Sequence, residues 1–280
     1  MIGGVDWMSA ARIKTIVISA LVLVNAFFLT IILIDNYAQA RDERQMIESV
    51  CSILQSSGIE ISPDNIITSG ALRTMRTARG GEVEAAIAYA FLGRVDMTDQ
   101  GTIYQYENPE RGVADFYSAG DFVIQLREGV ITATDSALKT TKDLLRDMRL
   151  ETSAPVISAN TEGEMVSVDS VYRGASIFNY PIEFYFVRNS LRTIKGRYVA
   201  GVELMEDGAE ISQVGTALLR FLSAVKSGDI ECKEILSVES GYQHSVVGSF
   251  GEGILAPSWL ITTGDGRFLV DSATGEIRGI

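Results

Sequence analysis

The strongest pattern of hydrophobic positions is a continuous apolar stretch near the N-terminus. From Ile16 to Ile34 the chain has 19 residues, and none of them is charged. A helix rises ~1.5 Å per residue, so this stretch would extend about 28 Å, close to the ~30 Å hydrocarbon core of a bilayer. The pattern therefore predicts one transmembrane helix.

Charges on either side of the apolar stretch predict its orientation. Arg12 and Lys14 precede it, and Asp35 follows it directly. Basic residues favour the cytoplasmic side of a membrane. Residues 1–35 are therefore predicted to be a short cytoplasmic N-terminus and a single membrane span, which places the remainder outside the cell. The alternative is a signal peptide cleaved after Ala40, since Ala38-Gln39-Ala40 resembles a signal-peptidase site.

Small and polar residues within the apolar stretch predict that the helix packs against another helix. Small residues let helices approach closely, and the side chain of Asn25 can hydrogen-bond across a helix interface. The alternative is that the protein simply tolerates a single asparagine there. The predicted helix–helix contacts are Ser19, Val22, Asn25, Ala26, Leu29 and Thr30.

Beyond residue 35, the spacing of apolar residues predicts helices followed by strands, twice over. Apolar residues recur at helical spacing over 37–57, and again over Ala209–Lys226, which ends before Gly228. A third helix is predicted over Asp135–Leu150. The fold class is therefore predicted to be α+β, with two tandem extracytoplasmic units over 36–152 and 153–280, each a helix packed on an antiparallel sheet. The predicted strands are Glu82–Leu92, Thr102–Tyr106, Gly112–Tyr117, Asp121–Arg127, Met165–Tyr172, Ser176–Val187, Leu191–Leu204, Ile235–Val247, Leu255–Thr262, Arg267–Val270 and Glu276–Ile280.

Charge narrows the classes of partner. The formal net charge is −12, and residues 1–35 contribute nothing to it, because two acidic and two basic residues cancel there. An acidic domain repels phosphate backbones, which argues against a nucleic-acid partner. Acidic pairs such as Glu82 and Glu84 are interpreted as parts of a solvated surface.

The residues available for chemistry are few. The chain has one histidine, His244, and two cysteines, Cys51 and Cys232. Without a cysteine cluster a zinc site is not expected. Cys51 is interpreted as a core thiol, and whether it is bonded to Cys232 stays open. His244 lies in a strand pattern that places it on one face with Tyr242 and Val246, which favours a structural role. No phosphate-loop or nucleophile-elbow motif is present. We therefore expect no catalytic residues, no cofactor and no metal.

Both ends of the chain resemble a known family. The N-terminal sequence Asp6-Trp7-Met8-Ser9-Ala10-Ala11-Arg12-Ile13-Lys14-Thr15-Ile16 resembles the start of the YycI/YycH regulatory proteins of Gram-positive bacteria. The segments Gly241-Tyr242, Pro257–Ile261 and Phe268–Ile277 resemble the closing strands of that family and, more loosely, PepSY-type modules. Met8 and Ala10-Ala11 depart from the family by lengthening the N-terminal motif.

The resemblance implies a function. Proteins of this family are membrane-anchored accessory proteins that contact the sensor histidine kinase of a two-component system controlling cell-wall metabolism. It implies that kinase as a partner, together with a YycH-like paralogue, and leaves a homodimer open. The alternatives are a PepSY-like extracytoplasmic module that binds a peptide, a glycan or a protease, and a structural component of a wall-synthesis or division complex.

Overall fold

The structure is a computed structural model of the 280-residue chain. It describes residues 6–118, 120–148, 152–159, 163–247 and 252–280. Within these ranges the side chains of residues 6–16, 19, 20, 31–40, 147 and 148 are not described. The chain divides into two compact units, Met1–Ile53 and Leu54–Ile280.

The N-terminal part of the chain forms one long helix, α1 (Asp6–Ser56), of 51 residues. It contains the predicted helix over 37–57 and the apolar stretch before it. Over the residues that the structure describes, no helix is both long enough and apolar enough to cross a membrane. This finding contradicts the predicted transmembrane helix at Ile16–Ile34 and the single-pass, extracellular localisation.

The second unit is built on a single large sheet rather than on two separate ones. Among the described residues, 15 strands join in this sheet, and the order along its main path is β11-β2-β13-β12-β9-β10-β6-β5-β4-β3. The strands are β1 (Ile66–Ile67), β2 (Met75–Thr77), β3 (Asp96–Asp99), β4 (Ile103–Asn108), β5 (Gly112–Tyr117), β6 (Asp121–Leu126), β7 (Val156–Ala159), β8 (Glu164–Tyr172), β9 (Ala175–Val187), β10 (Ser190–Arg197), β11 (Glu203–Leu204), β12 (Ile235–Val246), β13 (Gly253–Thr263), β14 (Arg267–Asp271) and β15 (Ile277–Gly279).

The predicted fold class is wrong in two respects. Strand β6, from the predicted unit 36–152, pairs with β10, from the predicted unit 153–280, so the sheet continues across the predicted boundary. The sheet is also mixed, because β12 runs parallel to both β1 and β9. Long-range pairing of this kind leaves no local signal in the sequence. The domain bounds themselves stay a prediction.

In the part of the chain that the structure describes, three further α-helices accompany the sheet: α2 (Gly81–Leu92), α3 (Ala137–Met148) and α4 (Val214–Ser227). The prediction of a strand over Glu82–Leu92 is wrong, since this segment is α2. Its buried residues recur at spacings of three and four, which is the helical period. Alanine-rich sequence also favours a helix over a strand. The buried residues of α2 are Glu84, Ile87, Ala88, Phe91 and Leu92.

The largest hydrophobic core lies between α2, α3 and the strands that face them. Phe91 of α2 and Phe116 of β5 are completely buried. Phe116 stacks on Phe122 of β6 with the ring centroids 5.6 Å apart, and Tyr106 of β4 meets it edge-on at 5.5 Å. Close aromatic pairs of this kind add to the stability gained from buried area.

In the C-terminal part, α4 packs against β14 of the sheet. Phe221 of α4 meets Phe268 of β14 with the ring centroids 5.5 Å apart. The helix begins five residues later than predicted, at Val214. Its C-terminal cap is Gly228, as predicted, in the left-handed conformation with φ 82°.

Candidate functional site

The first candidate site is the exposed apolar surface of α1. Asn25, with its neighbours Val22 and Leu29, lies on an exposed part of the helix. Large apolar side chains between residues 17 and 29 are exposed on every side of the helix, from 51% at Val24 to 71% at Leu23. A helix that is apolar all round is normally buried in its working environment. This surface is therefore the part of the chain best suited to contact another molecule.

The polar side chains among the predicted helix–helix contacts differ in their hydrogen bonding. The hydroxyl of Thr30 donates to the carbonyl oxygen of Ala26 at 2.8 Å, within the helix itself. The amide of Asn25 makes no hydrogen bond with any described residue, and it is free to bond across an interface. The side chains of Ser19, Arg12 and Lys14 lie outside the described residues.

The second candidate site is a buried polar network, and its first part surrounds Glu84. The side chain of Glu84 is completely buried. Arg79 binds it through two contacts, Nε to Oε1 at 2.6 Å and Nη2 to Oε2 at 3.1 Å, and the Tyr198 hydroxyl donates to Oε1. The guanidinium of Arg79 also lies 3.6 Å from the centre of the Tyr104 ring. Burial and the bond to Glu84 raise the pKa of Tyr198 well above its usual range.

The second part of the network surrounds Arg197, which directly precedes Tyr198 in the chain. Arg197 and Asp121 are paired across β10 and β6, and the guanidinium binds the carboxylate with two bonds, Nε to Oδ1 at 2.9 Å and Nη2 to Oδ2 at 2.8 Å. Its other neighbours are the Tyr180 ring, whose centre lies 3.5 Å from Cζ, and Nδ1 of His244, 3.2 Å from Nη1. Only 6% of the Arg197 side chain is exposed, so these contacts replace most of its hydration.

His244 reaches across the sheet from β12 to β2. Strand β13 lies between them, and His244 contacts Thr77 of β2, with Nε2 3.0 Å from Oγ1. The ring crosses β13 at Gly253, where an added Cβ would lie 2.3 Å from Nε2 of His244 and 2.6 Å from Oγ1 of Thr77. A glycine is therefore required at this position of the strand.

We expect Gly253→Ala to destabilise the protein by about 1–3 kcal/mol, because the methyl group would push His244 and Thr77 apart in a packed site. Urea unfolding would measure the loss. Gly279→Ala is the control, since an added Cβ there meets no atom within 4 Å. Equal stability of the two variants would show that the ring does not cross the strand at Gly253.

The hydrogen bonds of His244 determine its tautomer. Arg197 can only donate, so Nδ1 of His244 must accept, and Nε2 then carries the hydrogen and donates to Thr77. A histidine that activates a hydroxyl nucleophile must instead present a lone pair to it. Burial, together with the positive charge of Arg197, lowers the pKa of His244 from 6.5 to about 4, against an opposing effect of Asp121. His244 and Thr77 therefore lack the arrangement needed for nucleophilic catalysis.

The sequence identified His244 but not its surroundings. The expected strand position is confirmed, and Tyr242 and His244 are both buried, whereas Val246 is exposed. The partners Thr77 and Arg197 come from distant strands, and no spacing pattern links them to residue 244. Glu84 was interpreted as part of a solvated surface, which is wrong, because its carboxylate lies inside the core.

The two cysteines of the chain are buried and carry free thiols. Cys51 and Cys232 are both free and buried, which settles the question of a bond between them. Burial raises the pKa of both thiols, and this makes them poor nucleophiles. In the described part of the chain, no group of three or more histidine, cysteine, aspartate or glutamate residues could hold a metal ion.

Comparisons with known proteins add little to this description. No protein-family model matches the sequence, and no curated protein matches it. The crystal structure of an uncharacterized protein from Eubacterium rectale is similar at 10% sequence identity and a TM-score of 0.48, and the match covers 79% of this chain and 92% of that one. The resemblance to the YycI/YycH proteins stays a prediction.

Proposed function

We propose that this protein is non-catalytic and acts by contact with another protein, through the apolar surface of α1. The observation that carries the proposal is the exposure of large apolar side chains on all sides of the helix between residues 17 and 29. Apolar patches of this kind mark interaction sites, because leaving them in water is unfavourable.

The buried network supports a non-catalytic role. Arg79, Glu84 and Tyr198 satisfy one another, and Arg197 holds His244 in the tautomer that donates to Thr77. Groups that are paired in this way stabilise a fold but leave no free base or nucleophile for a substrate. The network therefore favours a rigid protein that binds rather than one that reacts.

The chemistry of α1 indicates the kind of partner. A surface without charge requires an apolar partner surface, and the unpaired amide of Asn25 requires a hydrogen-bonding group within it. An apolar helix with one polar side chain meets both conditions. The sensor histidine kinase implied by the family resemblance is the first partner to test, and a YycH-like paralogue and a second copy of this chain are the alternatives.

Replacing Asn25 with leucine tests this contact. We expect Asn25→Leu to weaken association with the partner by roughly 5- to 30-fold, because a buried polar group of the partner loses its hydrogen bond, at a cost of about 1–2 kcal/mol. Co-purification of the tagged full-length chain with the kinase, at matched protein levels, would measure the loss.

The control variant is Glu43→Gln, at an exposed position of α1 outside the apolar surface. It is expected to retain binding. If an unrelated apolar helix in place of residues 16–34 binds the kinase equally well, α1 does not carry the specificity. If the protein partitions fully into lipid vesicles that contain no other protein, the apolar surface of α1 binds lipid rather than a protein, and the proposal is wrong.

A further inference from the structure

We propose that His244 is a pH-sensitive latch that holds β12 against the neighbouring part of the sheet and releases it in acid. The latch lies where β12 meets β9, which are paired through their backbones at two positions. It is independent of the α1 surface on which the proposed function rests.

The junction between β12 and β9 has little backbone pairing of its own. The two strands are in register at only two positions, Gly241 with Ser176 and Tyr242 with Ile177. Beyond them, the side chain of Asn179 bonds to the backbone of His244 in place of a neighbouring strand. Its Oδ1 accepts from the His244 backbone N–H at 2.8 Å, and its Nδ2 donates to the His244 carbonyl oxygen at 2.7 Å. The backbone of His244 thus joins β12 to this part of the sheet through Asn179.

The side chain of His244 completes the junction. Its Nδ1 accepts from Arg197 of β10, and its Nε2 donates to Thr77 of β2. The Tyr180 ring of β9 meets the imidazole edge-on at 6.1 Å. Three elements therefore meet at this one ring, and the contact with Arg197 requires the neutral form of the imidazole, because only a deprotonated Nδ1 can accept.

Protonation is incompatible with this arrangement. A proton on Nδ1 would place an N–H group against the N–H of Arg197, and two positive charges would then face each other in a buried site. The charged and titratable groups around the ring are Arg197, Tyr180 and, behind Arg197, Asp121, which already binds the guanidinium with both oxygens. The closed junction therefore excludes the proton, whereas an open junction exposes His244 to water and accepts it.

The direction of the pH response follows from linkage. The pKa of His244 is about 4 in the closed form, and its ordinary value is 6.5. Above pH 6.5 both forms are neutral at this residue, so the latch is fully effective. As the pH falls from 6.5 towards 4, only the open form binds the proton, and the equilibrium moves towards opening. Between pH 7 and pH 5 the open fraction should rise roughly twentyfold.

Amide hydrogen exchange of the full-length chain, corrected for the intrinsic pH dependence of exchange, would measure this opening. We expect the opening constant for the amides of β12 around His244 to rise roughly twentyfold between pH 7 and pH 5. Amides of β5, in the core around Phe116, should change far less. Because the chain has one histidine, its imidazole signals in an NMR titration report this group alone.

Two variants make the test decisive. His244→Gln keeps a side chain that can both donate and accept, but it does not titrate, so its exchange should change less than twofold over the same pH range. Tyr180→Phe keeps the ring beside His244 and should respond as the native protein does. Titration of His244 near 6.5 in the folded protein would overturn the latch. Exchange in β12 that rises equally in the glutamine variant would also overturn it.

Discussion

Replacing Arg79 with alanine is expected to destabilise the protein by about 3–5 kcal/mol, because it leaves a buried carboxylate without its counter-charge. The side chain of Glu84 is 0% exposed, and its closest cationic partner is Arg79, with Nε 2.6 Å from Oε1. The Tyr198 hydroxyl remains as a donor, but a neutral donor does not replace a positive charge. Urea unfolding of the variant and the native protein would measure the difference.

Two controls separate the buried charge from other effects of the substitution. Arg73→Ala removes an arginine whose ion pair with Glu210 is exposed, since 50% and 64% of the two side chains are accessible. Exposed pairs contribute little, so this variant should lose less than about 1 kcal/mol. Combining Arg79→Met with Glu84→Met should restore much of the stability, because no charge is then buried. A loss below about 1 kcal/mol in Arg79→Ala itself would show that the Glu84 side chain is hydrated in the folded protein.

Replacing Trp259 with alanine is expected to cost about 3–5 kcal/mol, because a large side chain leaves a packed site and a cavity remains. Trp259 lies in β13, and 3% of it is exposed. Its indole N–H donates to the carbonyl oxygen of Ser212 at 2.9 Å, just before α4 begins. The residue therefore holds the start of α4 on the sheet as well as filling space.

Trp259→Phe distinguishes these two roles. It keeps most of the aromatic volume but loses the hydrogen bond, so it should cost less than the alanine variant, about 1–2 kcal/mol. Exchange of the first amides of α4 should increase in both variants. An alanine variant that loses less than about 1 kcal/mol would show that Trp259 is not packed in solution as it is in this structure.

Local patterns in the sequence determined much of the C-terminal part of the fold. The strand-like segments Leu255–Thr262 and Arg267–Val270, with the Gly264-Asp265-Gly266 turn between them, predict a hairpin, which the structure contains as β13 and β14. The three- and four-residue spacing of Ile211–Val225 predicts α4, and Gly228 predicts its end. These predictions succeed because neighbouring residues supply both the periodicity and the turn conformation.

The sequence also identified residues whose role was visible only in the folded chain. It predicted His244 to lie in a strand, and it singled out Asn25 in an apolar stretch. The predicted strand over Glu82–Leu92 is α2, and residues at helical spacing along it are buried in the core. The predicted membrane span is contradicted as well, and the helix that contains it continues to Ser56.

Tertiary structure alone decided the buried polar network and the continuity of the sheet. Glu84 and Tyr198 are hydrogen-bonded although 114 residues separate them in the sequence, and 167 residues separate Thr77 from His244. At such separations, the identity of a partner depends on which strands become neighbours and in which register. A glutamate on an amphipathic helix has the same local sequence pattern whether its carboxylate is solvated or buried against an arginine. The sequence therefore specified which segments are helices and strands over short distances, whereas long-range strand pairing determined which charges are buried together.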